Sequence, residues 1–263
     1  GGSTAVYSAL RLCQLASNIK GQPHRKHILT REKAYHGSTY LSASITGKER
    51  DKTAMDIMRD GVHFLSAPCY FYHPEFATEA EFCDFLVDEL EQKILELGPE
   101  NIMCFIAEPV MASGGGIVPP ADYNYRCWQM VKKHEITYIA DEVVTAFGRL
   151  GYWFASEKVF GIVPDIIIFA KGVTSGYIPM GGYAVSESFL DSFSGDNAEG
   201  CLYSNGYTWG GSPVACAAAL ASWDIIEKEE LLDRVLEIGP YFQQQFQTLQ
   251  DTPLVGNVRG EGL

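Results

Sequence analysis

The 263-residue chain sets 33 Asp and Glu against 20 Lys and Arg, for a net charge of -13, and is 46% hydrophobic and 20% charged. That composition fits a globular enzyme domain, and an acidic balance with only the short basic pairs Arg25-Lys26 and Lys132-Lys133 excludes nucleic acid or an anionic membrane as the expected partner. Seven cysteines, odd in number and without metal-ligand spacing, point to reduced thiols in the cytoplasm, and neither a membrane span nor a signal peptide is expected.

Strand-like and helix-like segments alternate along the chain. Gly2-Ser3-Thr4 caps a helix over about Ala5 to Asn18, with Val6, Ala9, Leu10, Cys13 and Ala16 on one face. A strand over His27 to Thr30 leads into Tyr35-His36-Gly37, and Val62 to Leu65 is a second strand. The amphipathic stretch Glu79 to Leu97 is a helix that stops at Gly98-Pro99. Ile102 to Ala107 is a strand ending at Glu108-Pro109, and a helix over about Ala121 to His134 precedes a strand from Ile136 to Ala140 that delivers Asp141. The run Ile166 to Ala170, bounded by Pro164 and Gly172, is a buried strand that delivers Lys171. A strand near Gly182 to Val185 and two helices, Val214 to Glu227 and Leu231 to Leu249, follow, and a further strand is expected to begin within Val258 to Leu263. The alternation predicts an α/β domain with a mostly parallel sheet and active groups at the strand C-termini.

Each candidate residue has a plain structural reading. A strand-end lysine is usually solvated, and a strand-end aspartate is often a helix cap. Gly1-Gly2-Ser3-Thr4 reads as an N-cap or as an anion site, because free amides and the helix dipole favour a phosphate there. Tyr35-His36-Gly37-Ser38-Thr39 reads as a turn or as a platform on which Tyr35 stacks on a flat ring. Gly114-Gly115-Gly116 reads as a flexible loop rather than a dinucleotide fingerprint, and His24 with His27 lacks the companions a metal site needs. Together, a phosphate loop, a stacking aromatic, an acid for a ring nitrogen and a lysine amine are the contacts that pyridoxal phosphate requires.

Six ordered blocks carry a resemblance to a known family. They are Gly2-Ser3-Thr4-Ala5, Tyr35-His36-Gly37-Ser38-Thr39, Ala107-Glu108-Pro109-Val110, Asp141 through Arg149, Phe169-Ala170-Lys171-Gly172, and Gly206-Tyr207-Thr208 with Ser212 through Ala217. The chain resembles, nearly end to end, the class III pyridoxal-phosphate aminotransferases of fold type I, most of all the amine:pyruvate (ω-) transaminases. The resemblance implies the large domain of that fold, a mostly parallel mixed sheet flanked by helices. It further implies that residues 1–253 form the cofactor domain of a longer protein and residues 254–263 begin a small C-terminal domain.

Carried over block by block, the resemblance implies pyridoxal 5'-phosphate as cofactor, with Gly2, Ser3 and the Thr4 amide on its phosphate. Tyr35 and Val143 would lie on the two ring faces, Asp141 would pair with the ring nitrogen and Lys171 would join the aldehyde. His36 falls within the Tyr35 block and Glu108 near the substrate side of the cofactor, while Thr208 matches a residue that reaches the phosphate of a neighbouring subunit, implying a homodimer. Thr4 stands where many relatives carry an acid, and Val144 stands where the ornithine- and γ-aminobutyrate-type branch carries glutamine, which sets that branch aside. The implied reaction is ping-pong transfer from an amine or ω-amino acid to a keto acid such as pyruvate. An aminomutase of the same family, and a non-catalytic fragment that keeps the fold, are the alternatives.

Overall fold

The computed structural model describes residues 1–194 and 198–263. Helix α1 (Gly2–Ile19) leads through strand β1 (His27–Arg31) to a short helix α2 (Tyr40–Ser44) and strand β2 (Val62–Leu65). Helix α3 (Glu79–Leu97), strand β3 (Ile102–Ala107), helix α4 (Tyr123–Lys133) and strand β4 (Thr137–Asp141) follow. Then come α5 (Ala155–Phe160), β5 (Ile166–Phe169), β6 (Gly182–Val185), α6 (Glu187–Leu190), α7 (Pro213–Lys228) and α8 (Leu231–Gln247). Among the described residues the strands form one six-stranded sheet in the order β2-β1-β3-β4-β5-β6. All neighbours run parallel except β6, which closes the edge antiparallel to β5.

The two faces of the sheet are written in the alternation of the strands. Leu29, Phe105 and Tyr138 join Phe82, Leu86, Leu90, Tyr123 and Cys127 in a core under α3 and α4. Ile28, Ile106, Ile139 and Ile168 point the other way and pack against Val6, Ala9, Leu10 and Cys13 of α1. Strand β3, central and covered on both sides, is buried at all six positions. The cysteines at 13, 83, 104 and 127 serve these cores as small apolar side chains. Helix α3 begins where the Thr78 hydroxyl accepts from Glu81 N and ends at Gly98, whose φ of 79° closes it.

Order along the sheet decides where the site falls. From β1 the chain moves outward to β2, and from β3 it moves the opposite way to β4 and β5. The reversal between β1 and β3 leaves a crevice at the C-terminal ends of the strands, where α/β sheets present ligands. Tyr35 and His36 follow β1, Glu108 follows β3, Asp141 ends β4 and Lys171 follows β5.

Three expectations need correction. Helix α1 begins at Gly2 rather than near Ala5, so Gly2, Ser3 and Thr4 form its first turn and Gly1 is the N-cap. The Gly114–Gly116 segment is not an open loop, because Met111 N donates to Ile117 O at 2.9 Å and Ile117 N to Met111 O at 3.2 Å, closing it as a tight turn. No strand forms within Val258 to Leu263. That stretch runs without regular structure along α8, with Gln243 Nε2 donating to Gly262 O at 2.8 Å. Among the described residues, no helix is long and apolar enough to cross a membrane.

Candidate active site

A cavity of about 560 Å³ opens at the C-terminal edge of the sheet. Gly2, Ser3, Tyr35, His36, Glu108, Asp141, Val143 and Lys171 all line it. Thr4 is not among the lining residues; its hydroxyl turns back to donate to Gly1 O at 2.8 Å. Thr208 lies outside the cavity in an exposed turn.

One wall is the first turn of α1. The first amides of a helix lack intrahelical acceptors and sit at the positive end of its dipole, which makes them anion donors. The loop after β1 is locked onto this turn by the Ser38 N to Ser3 Oγ hydrogen bond of 3.0 Å. Gly37, at φ 123°, allows the approach, since a Cβ there would sit 2.7 Å from the Ser3 Cα. Gly2 faces Val143, whose methyls would lie 3.4 Å from a Cβ placed on Gly2.

The floor is acidic. Asp141 is 4% exposed, with Oδ1 accepting from Val143 N at 3.1 Å and Oδ2 lying 2.7 Å from His36 Nδ1. An ionised carboxylate can only accept, so Nδ1 carries the proton of this pair. His36 is held in turn by its own amide, which donates to Thr46 Oγ1 at 3.0 Å. The next residue, Glu142, faces away from the cavity and is fully buried. Its carboxylate accepts from Ala155 N at 2.7 Å and Ser156 N at 2.9 Å, capping α5 and fixing the turn that presents Asp141 and Val143. An acid adjacent to a strand-end aspartate, and therefore pointing oppositely, is the signal that separates the cap from the cavity acid.

Lys171 begins a tight turn after β5 with φ of 39°, a left-handed conformation that a lysine holds only when its surroundings impose it. Those surroundings are aromatic and helical. A Cβ on Gly172 would sit 2.9 Å from the Cβ of Phe147, and Trp223 of α7 donates from Nε1 to Val173 O at 3.0 Å. The Asp141–Ile168 register puts the aspartate and the lysine at the same end of adjacent parallel strands.

Glu108 is 4% exposed and accepts from Tyr35 N at 2.9 Å, while the buried Arg31 guanidinium donates from Nη2 to the Glu108 carbonyl. Burial pushes its carboxyl up from 4.5 to about 7, with the negative charge of Asp141 adding to the rise and His36, the Tyr35 N–H and Arg31 opposing it. The native state therefore keeps a proton that the unfolded chain releases across that window. Stability falls as pH climbs from 4.5 to about 7 and levels off above it, a loss of roughly 3 kcal/mol at most. Glu108→Gln keeps the acceptor for Tyr35 N but has no proton to lose. We expect it to flatten this slope in urea unfolding compared between pH 5 and pH 8; an unchanged slope would assign the pH dependence to another group.

The cavity includes residues that sequence patterns did not single out, notably Ala112, Ser113, Pro179 and Met180. All four sit in loops, where no periodicity reports on which side chain faces inward. The sequence pattern also did not show that His36 holds Asp141. His27, weighed above as a metal ligand with His24, instead lies with Nδ1 2.9 Å from His63 Nε2 on the neighbouring strand.

Comparison with known proteins points in one direction. The family model "Aminotransferase class-III" matches residues 1–263. A protein of Solanum lycopersicum named gamma aminobutyrate transaminase 1, mitochondrial, is 41% identical over 100% of this chain and 51% of its own length. The putrescine–pyruvate aminotransferase of Pseudomonas aeruginosa is 38% identical over 100% of this chain and 57% of its own. Among solved structures, a PLP-bound amine transaminase from an uncultivated Pseudomonas species superposes with a TM-score of 0.93 at 36% identity, covering 100% of this chain and 60% of that one. The chain thus spans little more than half the length of these relatives. A relative named for γ-aminobutyrate matches as well as one named for an amine, so Val144 alone does not separate those branches.

Proposed function

The chain belongs to the class III aminotransferases, and we propose that it is the cofactor-holding part of a pyridoxal-phosphate enzyme that moves an amino group from an amine or ω-amino acid to a keto acid such as pyruvate. The observation that carries this reading is a single cavity joining a helix N-terminus, a buried carboxylate and, on the adjacent strand end, a lysine amine. The relatives named for putrescine with pyruvate and for γ-aminobutyrate support the donor and acceptor classes.

The donor set fits the cofactor. Amides at the positive end of α1 suit a phosphate dianion, Val143 and the Tyr35 ring suit the two faces of a flat heterocycle, and Asp141 suits a ring N–H. When bound, pyridoxal phosphate supplies an aldehyde for amines and a ring that draws off the electron pair left when a proton departs from the amine-bearing carbon. The protein supplies the rest. Asp141, with one oxygen on Val143 N–H and the other on His36 Nδ1–H, presents a fixed negative charge that favours the protonated ring nitrogen. Lys171 Nζ would be the amine that holds the aldehyde, and when freed it would be the base that takes the proton from the donor carbon and the acid that gives it back.

We propose a homodimer as the working assembly. Thr208 is exposed and outside its own subunit's cavity, and Leu202, Trp209 and Tyr177 are 80%, 85% and 89% exposed, apolar surface of the kind that association covers. The cysteine pattern favours the cytoplasm.

The test is an amine donor with and without pyruvate. Alanine should accumulate in step with deaminated donor, and without acceptor the holoenzyme should release one equivalent of product per site and stop. Continued turnover without acceptor would mark an aminomutase and overturn the transfer reading.

A further inference from the structure

Lys48 opens a run of charged residues, Lys48-Glu49-Arg50-Asp51-Lys52, whose other members pair among themselves. Lys52 Nζ lies 2.7 Å from Glu49 Oε1, and Arg50 Nε lies 3.1 Å from Asp51 Oδ1. Lys48 turns away from them. Its Nζ is 2.6 Å from Ser113 Oγ and 5.4 Å from the centroid of the Tyr35 ring. Ser113 and Tyr35 both line the cavity, and Lys48, which is not itself a lining residue, stands directly behind them.

The backbone keeps it there. Lys33 N donates to Gly47 O and Gly47 N to Ala34 O, each at 2.8 Å, tying the Lys48 turn to the segment that enters Tyr35. The Ser113 turn is pressed against the same segment, since a Cβ on Gly114 would sit 2.8 Å from Lys33 O. Arg259 reaches the far side of that turn and donates from Nε to Gly115 O at 3.1 Å. Two cations therefore flank one turn at the mouth of a cavity whose floor holds Asp141 and Glu108, in a chain of net charge -13.

An ammonium has three N–H groups. Ser113 Oγ takes one and the Tyr35 ring face attracts the cation, and among the described residues no ion pair includes Lys48. The amine end of a donor would go to the cofactor's aldehyde, and a cation at the mouth matches a carboxylate at the donor's far end. We propose that Lys48, steadied by Ser113, binds the remote carboxylate of an ω-amino acid donor and so sets the preference for such donors over plain alkylamines. This rests on the amino-transfer reading of the cavity.

The measurement uses the holoenzyme and two donors of equal chain length, δ-aminovalerate and pentylamine, followed in the donor-only half-reaction by the cofactor's absorbance. Lys48→Met should raise the half-saturating concentration of δ-aminovalerate relative to that of pentylamine about tenfold, the size of one charge-assisted hydrogen bond. Lys48→Arg should restore most of the preference. Calorimetry with pentanoate, which cannot react, should show binding to the parent protein and loss of it in Lys48→Met. An unchanged donor ratio, or equal weakening of both donors, would overturn the proposal and leave Lys48 as packing for Tyr35. A parent enzyme that reacts with neither donor would instead overturn the amino-transfer reading, and this proposal with it.

Discussion

Lys171→Ala should remove turnover while leaving the fold intact. The side chain is exposed in the cavity and buries no apolar surface in either core, so its truncation creates no void. Alanine still has to occupy a φ of 39°, which is no less strained for it than for lysine, so the backbone cost is shared by both proteins. What is lost is the amine we assign to anchoring the cofactor and to moving the proton. General acid–base catalysis by one positioned group contributes up to about ten-thousandfold. With the anchoring role removed as well, turnover should fall by about that factor or more. The phosphate contacts proposed at α1 do not involve Lys171, so the variant should still take up the cofactor, reversibly, and lose it on gel filtration. Retention of more than a hundredth of parental turnover would remove Lys171 from the chemistry.

Asp141→Asn is the second large effect. The substitution keeps the shape and exchanges one carboxylate oxygen for an amide nitrogen. Its remaining oxygen can accept from Val143 N, as Oδ1 does at 3.1 Å, and its NH₂ can donate to His36 Nδ1 if the imidazole adopts the other tautomer. The local network is then preserved while the charge is gone. A preorganised electrostatic partner of this kind is worth about 3 to 4 kcal/mol, so kcat should drop roughly hundredfold or more with a small change in melting temperature. Asp141→Glu keeps the charge but displaces it, and should recover only part of the loss. Near-parental kcat in Asp141→Asn would sink the role assigned to this carboxylate.

The scaffold was legible where a run of side chains reports directly on burial. Strands β2 and β3 and helix α3 begin and end at the residues expected, because β-branched and apolar runs there are bounded by glycine, proline or a capping threonine. Gly2-Ser3-Thr4 reads as loop chemistry, which puts the expected start of α1 too late, although Gly1 is the cap. Helices α2, α5 and α6 span four to six residues, too few for an amphipathic period, and α5 depends on the distant Glu142 side chain for its cap. Antiparallel β6 reads like the parallel strands, since direction leaves no local mark. The residues named at strand ends do share a cavity, and what each does there is our proposal. The contacts that tune them span the sequence: His36 and Asp141 are 105 residues apart, and Lys48 and Ser113 are 65 apart. Only the order β1-β3-β4 brings the first pair together, and only the paired turns after β1 and β3 bring the second.

We propose above all that the cavity at the strand ends holds pyridoxal phosphate through Lys171. Borohydride reduction of the purified holoprotein followed by peptide mapping tests it most directly. The yellow colour should be lost and the pyridoxyl group recovered on the peptide containing Lys171. Recovery on another lysine, such as Lys158 on the exposed face of α5, or no incorporation at all, would contradict it.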